Sequence, residues 1–163
     1  SLNENDIGDF KTFLKLSPPL RTEEDRNALV QGLVDETIDV IVSDHKPEDE
    51  ENKRLTFAQA ETGASGIETL LPLSLELYHN GSVKLETIIK ALTSSPAKIL
   101  KINKGNLSIG NDADFCIVDI NKPWVVRKEK LISKSKNTPI EDKKLQGKVM
   151  NTFVNGEELF KAE

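Results

Sequence analysis

Apolar and polar positions follow two regimes along the chain, one up to Leu100 and another after it. In the first, Phe13-Leu14-Lys15-Leu16 predicts a short strand. Ser17-Pro18-Pro19 stops it, because two prolines remove backbone donors and force an extended exit. Thr22 then reads as a helix N-cap, with Glu23, Glu24 and Asp25 placed to favour the positive end of the helix dipole. Leu29, Val30, Leu33 and Val34 fall on one face of that helix. The β-branched run Ile38-Asp39-Val40-Ile41-Val42 predicts a second strand, so the order is strand–helix–strand, a parallel unit. From Lys46 to Thr56 the chain is almost wholly polar and reads as a long loop.

Ser65-Gly66 is expected to open a helix carrying Ile67, Leu70, Leu71, Leu75, Leu77 and Tyr78, apolar nearly all round and therefore buried. Asn80-Gly81 ends it with residue types that tolerate a left-handed backbone. Leu85, Ile88, Ile89 and Leu92 mark an amphipathic helix, and Ser95-Pro96 starts a short one with proline at the first position. After Leu100, Gly105, Gly110 and Gly147 separate β-rich pieces: 113–120, 124–126, and 148–160 with Asn155-Gly156 as a hairpin turn. The pattern divides the chain at 1–102 and 103–163.

Composition narrows the class. Apolar residues at 37% support a core, and a net charge of -5 offers no basic stripe for nucleic acid. The lysines between Lys128 and Lys136 are interrupted by Glu129, Leu131 and Ile132 and read as a solvated loop. Cys116 is the one cysteine, so no disulfide forms within the chain, and its place in Asp114-Phe115-Cys116-Ile117-Val118 suggests a buried strand position. No apolar run approaches the ~18 residues of a membrane span, so no membrane role is expected. The polar start Ser1-Leu2-Asn3-Glu4-Asn5-Asp6 reads as a loop entered from something upstream.

Chemistry concentrates at Ser43-Asp44-His45, where a β-branched run ends in an acid and an imidazole. A (β/α)8 barrel presents its reactive groups at the C-terminal ends of its strands, and this pattern fits such a rim. Only His45 and His79 offer imidazole, and neither has ligand spacing to another His or Cys, which excludes a structural zinc site. His79 suits a helix C-terminus. His45 follows Asp44 directly, so in an extended chain the two face opposite ways, and His45 reads as an orienting hydrogen-bond partner. Gly63 and Gly66 are either glycines at a helix start or a bared backbone facing an anion. Arg21 either clamps a carboxylate or packs on the acidic helix start. No Gly-x-Ser-x-Gly elbow and no phosphate-cradling glycine loop is present.

In combination, several segments resemble the C-terminal part of dihydroorotases of the large-barrel type, within the amidohydrolase superfamily. Lys15-Leu16-Ser17-Pro18-Pro19-Leu20-Arg21 resembles the segment at barrel strand seven, and residues 38–47, ending Ser43-Asp44-His45-Lys46-Pro47, resemble strand eight. Residues 57–69, Phe-Ala-Gln-Ala-Glu-Thr-Gly-Ala-Ser-Gly-Ile-Glu-Thr, resemble the substrate loop and the start of the next helix. Thr93-Ser94-Ser95-Pro96-Ala97 and residues 105–114 are similar to markers of the superfamily, and Ser133-Lys134-Ser135-Lys136-Asn137-Thr138-Pro139 to dihydroorotases in particular.

The resemblance implies an α/β fold: the last strands and helices of an incomplete (β/α)8 metal-dependent hydrolase barrel over 1–102, and part of a small β-sandwich domain over 103–163. It implies reversible, zinc-dependent hydrolysis of the ring amide of dihydroorotate to N-carbamoyl-L-aspartate, in pyrimidine biosynthesis. Asp44 would be metal ligand and proton shuttle, His45 its neighbour in support, and Ser17, Glu48, Thr62 and Gly63 the substrate-binding positions. Zinc would lower the pKa of its water to about 7, and the carboxylate would spare the reaction an amide-anion leaving group. Three positions depart from the family pattern: Ser17 replaces an asparagine, Glu48 a histidine and Glu61 a proline. Glu48 is expected to turn outward, away from an anionic product.

The family's upstream metal ligands, a His-x-His pair, a carbamylated lysine and two further histidines, do not occur here. A full barrel takes about 250 residues, so the chain reads as a fragment, itself inactive and without zinc, from a parent holding one or two zinc ions. The implied setting is cytoplasmic, with a homo-oligomer and aspartate transcarbamoylase as candidate partners. Two alternatives stand beside this reading: a hydantoinase- or allantoinase-like cyclic amidase, and a non-catalytic dihydroorotase-like scaffold for aspartate transcarbamoylase.

Overall fold

The computed structural model describes residues 1–162, which pack as two compact units. The first comprises Ser1–Gln31, Ser43–Leu70 and Val125–Lys144; the second comprises Gly32–Val42, Leu71–Trp124 and Leu145–Glu163.

Helix α1 spans Glu23–Val34. Its start is a reciprocal cap: Thr22 Oγ1 accepts from the Asp25 N–H at 3.1 Å, and Asp25 Oδ2 accepts from the Thr22 N–H at 3.3 Å. Arg21 lies 3.6 Å from Asp25, so of its two sequence readings it takes the packing role on the acidic helix start. The first unit also holds the four-residue helix α2, Glu50–Lys53. Its buried apolar side chains are few, namely Leu14, Ala60, Val126, Leu131 and Ile140. Lys53, Ser65, Thr69, Asn137 and Thr138 are buried with them, so hydrogen bonds carry an unusual share of this interior.

In the second unit, α3 (Leu70–His79), α4 (Leu85–Leu92) and α5 (Ser94–Ile99) precede a three-stranded sheet of β1 (Phe115–Val125), β2 (Lys144–Val154) and β3 (Glu157–Lys161), in the order β1-β2-β3. Its core is Leu33, Leu75, Val83, Ile88, Ala91, Ala97 and Leu145. Gly147, with φ +104°, lets this packing close: a Cβ there would lie 2.4 Å from Leu75 Cδ1. β2 and β3 are antiparallel with Val154 opposite Glu157, joined by Asn155 and Gly156 at φ 51° and 81°. Both turn residues are left-handed, as a tight hairpin turn requires.

Several expectations change. Residues 13–16 form no strand; Thr12–Leu14 is a 3₁₀ turn. Residues 38–42 form no strand. A strand exists through its neighbours' hydrogen bonds, and here Ile38 N bonds Gly32 O and Ile41 N bonds Ala91 O, both outside any sheet. Residues 113–126 hold one long strand instead of two pieces. Cys116 is exposed, as is Ile117 beside it, and Phe115, which stacks on Phe153 at 4.6 Å between ring centroids, is still more than a third exposed, so this part of the strand is not a core position. α5 begins at Ser94, putting Pro96 third, still within the first turn where a missing N–H leaves no helical bond unmade. α3 begins at Leu70, later than expected, and Ile67 and Tyr78 are exposed. Among the described residues no helix is long and apolar enough to cross a membrane.

Candidate functional site

The chain turns at Asp44, whose φ is 41°. Aspartate tolerates this left-handed region better than most residues, yet the conformation is uncommon and carries strain. The turn breaks the extended geometry that would have set Asp44 and His45 on opposite faces. The Asp44 side chain is exposed. His45 Nδ1 accepts from the Gly66 N–H at 3.1 Å and from the Ile67 N–H at 3.4 Å. His45 therefore holds the segment leading into α3.

A second loop runs beside this turn. Lys46 N–H donates to Ala64 O at 3.0 Å, and Gly63 N–H donates to Lys15 O at 3.1 Å. Both glycines of this loop serve close approach. A Cβ on Gly63 would lie 2.8 Å from Lys46 O, and one on Gly66 would lie 3.0 Å from Ser43 O. Gly63 also has φ +129°, a conformation that side chains seldom adopt.

Three lysines gather around residues 58–63. Lys15 Nζ donates to Ala58 O at 3.0 Å and Ala60 O at 2.7 Å. Lys46 Nζ donates to Thr62 Oγ1 at 3.3 Å and lies 3.4 Å from Glu48 Oε1. Lys53 Nζ is fully buried and donates to Lys15 O (3.1 Å), Glu61 O (2.8 Å) and Gly63 O (3.0 Å). Burial pushes the Lys53 ammonium pKa down from its ordinary value. Asn137, also fully buried, donates from Nδ2 to Gly63 O at 3.3 Å and accepts from Ser65 Oγ at 2.8 Å.

Of the positions read from sequence, Thr62, Gly63, Glu48 and His45 enter this one hydrogen-bonded region, and Asp44 precedes His45 at its edge. Glu48 pairs with Lys46 with its side chain 18% exposed, so it is turned into the structure more than the outward placement expected of it. Ser17 is exposed on the turn that follows the Lys15 carbonyl. Two of the loop lysines expected to be solvated also have partners: Lys128 Nζ pairs with Glu50 at 3.2 Å, and Lys136 Nζ bonds Leu131 O.

Sequence reasoning missed Lys53 and Asn137. Lys53 lies in a run of charges, where a lysine reads as solvated, and no periodic signal marks a four-residue helix. Asn137 lies within the segment singled out for its resemblance, but an amide in a polar loop gives no hint of complete burial.

Chemically, the region offers an exposed carboxylate, lysine ammonium groups and a bared amide. The Thr62 N–H has no hydrogen-bond partner among the described residues, so an acceptor on a ligand can take it. The metal that the sequence resemblance implies asks for three or four ligands. Among the described residues no group of three or more His, Cys, Asp or Glu side chains is placed to hold a metal ion. The described residues therefore do not make up a complete centre.

The chain is 43% identical over 162 residues to a dihydroorotase of Anaplasma phagocytophilum, covering 99% of this chain and 36% of that protein. It is 44% identical over 163 residues to a dihydroorotase of Ehrlichia chaffeensis, again covering 36% of the relative. It thus spans little more than a third of the length of these curated relatives. Among solved structures, an L-hydantoinase (dihydropyrimidinase) from Arthrobacter aurescens superposes with a TM-score of 0.90 at 30% identity, over 98% of this chain and 37% of that one. A model of the amidohydrolase family matches residues 13–159, which include the Asp44 turn, the lysine-held loop and all but the end of the sheet's last strand, and the chain belongs to that family.

Proposed function

We propose that the protein carrying this chain is a dihydroorotase, opening the ring amide of dihydroorotate to N-carbamoyl-L-aspartate and closing it in reverse. The observation that carries this reading is identity of 43–44% to dihydroorotases over essentially the whole chain, against 30% to the hydantoinase. In this reading 1–102 are the last part of a (β/α)8 barrel and 103–163 part of a small β-domain. Asp44 also lends one carboxylate to a zinc centre completed by residues elsewhere in the protein.

The Asp44 carboxylate accepts a proton from the attacking water as oxygen adds to the ring carbonyl. It returns that proton to the ring nitrogen as the carbon–nitrogen bond breaks, so nitrogen leaves as a neutral amide. The left-handed turn holds the carboxylate at the end of its segment and exposed to the ring. The Thr62 N–H donates to the substrate, Lys46 orients the Thr62 hydroxyl, and Ser17 and Glu48 complete the substrate contacts. His45 supports the site by fixing residues 66 and 67. The same reading places the enzyme in the cytoplasm, assembled with copies of itself or with aspartate transcarbamoylase.

The test is turnover by the full-length protein against dihydroorotate, hydantoin and allantoin, with the Asp44→Asn variant alongside. Dihydroorotate is expected to be the preferred ring, and Asp44→Asn to lower kcat by roughly 10²- to 10⁴-fold with the fold intact. Preference for hydantoin or allantoin, or an Asn variant with ordinary turnover, refutes the reading. No turnover of any ring would favour the scaffold alternative.

A further inference from the structure

We propose that Lys53 is a positioning residue: its buried ammonium pins residues 61–63 so that the Thr62 amide between them faces outward. Its consequence for substrate rests on the function proposed above; the pinning itself does not.

An ammonium has three N–H donors, and Lys53 spends all three on main-chain carbonyls, those of Lys15, Glu61 and Gly63. None of these acceptors is a carboxylate. A buried cation held only by neutral carbonyls is unfavourable, and a hydrophobic side chain of the same length would avoid that penalty. What Lys53 provides in exchange is geometry, because one atom joins the 15–17 turn to both ends of the Glu61-Thr62-Gly63 tripeptide.

The pin is itself anchored. The backbone carbonyl of Lys53 accepts from Thr12 Oγ1, and Asp49 caps α2 by accepting from the Glu51 N–H at 3.3 Å. The remaining inward groups of the tripeptide are also taken. Glu61 N–H goes to Asn52 O at 3.1 Å, Gly63 N–H to Lys15 O at 3.1 Å, and Gly63 O receives Asn137 Nδ2 as well as Lys53. Only the main-chain groups of Thr62 are left without a partner in this tripeptide among the described residues. Such alternation is what a pinned edge produces: residues 61 and 63 bind inward and residue 62 is offered to a ligand.

The experiment compares full-length wild-type protein with Lys53→Met, which keeps the side chain's length and removes its donors, and with Lys53→Arg, which keeps the charge. Amide hydrogen exchange is followed in the peptide covering residues 58–66 and in α4, and KM and kcat are measured with dihydroorotate. For Lys53→Met the 58–66 peptide is expected to exchange at least about tenfold faster while α4 is unchanged, and KM to rise about tenfold with kcat within about threefold. Lys53→Arg should fall between the two.

Unchanged exchange in 58–66, equal acceleration in α4, or unaltered KM overturns the proposal. If Lys53→Met does not fold, Lys53→Arg decides: its 58–66 peptide is expected to exchange faster than in wild type while α4 is unchanged, and exchange in 58–66 equal to wild type refutes the pin. A wild-type protein inactive on dihydroorotate refutes the proposed function instead, and the exchange comparison still decides on Lys53.

Discussion

Gly63→Ala isolates the physics of the lysine-held loop. The added methyl meets two penalties. At φ +129° an alanine occupies a region nearly confined to glycine, worth on the order of 1–3 kcal/mol. Its Cβ would also sit 2.8 Å from Lys46 O and 2.9 Å from Lys46 Cβ, inside contact distance of backbone that cannot swing aside. Relief by shifting residue 63 would lengthen the bonds from Lys53 and Asn137 to its carbonyl. Together these give a loss of about 3 kcal/mol, or roughly 6–12 °C in Tm for a chain of this size.

Gly81→Ala is the matched control. Gly81 also has positive φ, at 76°, but nothing lies within 4 Å of its would-be Cβ, so only the backbone term of about 1–2 kcal/mol applies. Urea titration of the three proteins checks this, with fluorescence of a reporter in each unit. If Gly63→Ala destabilises no more than Gly81→Ala, close approach at Lys46 is not what requires glycine, and the account of the loop fails.

Three further outcomes follow from particular side chains. Ile88 is fully buried in α4, so Ile88→Ala should cost about 2–5 kcal/mol in denaturant unfolding, whereas exposed Ile89→Ala should cost under about 1 kcal/mol; equal effects would refute the assigned face. Hydrogen bonds from Arg26, and then from Asn3, hold the Glu23 carboxyl at about 2, below its ordinary 4.5. A depressed carboxyl contributes stability above its unfolded pKa and loses it as pH falls through the folded value, so the Glu23 contribution should fade between pH 4.5 and 2. Comparison of Glu23→Gln with wild type by acid unfolding checks the sign, since the variant should lack that part of the dependence. Finally, Cys116 should react with a thiol reagent in native buffer as fast as in urea to within about tenfold; strong native protection would mean the strand face is covered.

Local chemistry made much of this protein legible from its residues alone. The Thr22 cap, the Leu85–Leu92 helix and the Asn155-Gly156 hairpin depend on neighbours a few positions away, and each forms where the pattern places it. The family, too, was readable, because its motifs are contiguous stretches such as Ser43-Asp44-His45 and residues 57–69. What failed were expectations resting on partners distant in the chain. Residues 13–16 and 38–42 have strand-like composition, but a ladder needs a neighbour, and their hydrogen bonds go elsewhere. Cys116 has the surroundings of a core position in sequence and none of the covering layer in space.

The candidate site divides along the same line. Asp44, Thr62 and Gly63 could be named from sequence because a motif carries them. Lys53 and Asn137 could not, because burial is a property of the assembled interior. Sequence determined which segments turn, cap and pair with near neighbours; only tertiary structure decided that a lysine in a charged run would lose its water and bind the carbonyls of residues 15, 61 and 63. The physical reason is that hydrogen bonds across 38 or 74 residues of separation, as in Lys53–Lys15 and Asn137–Gly63, leave no periodic trace in the chain that makes them.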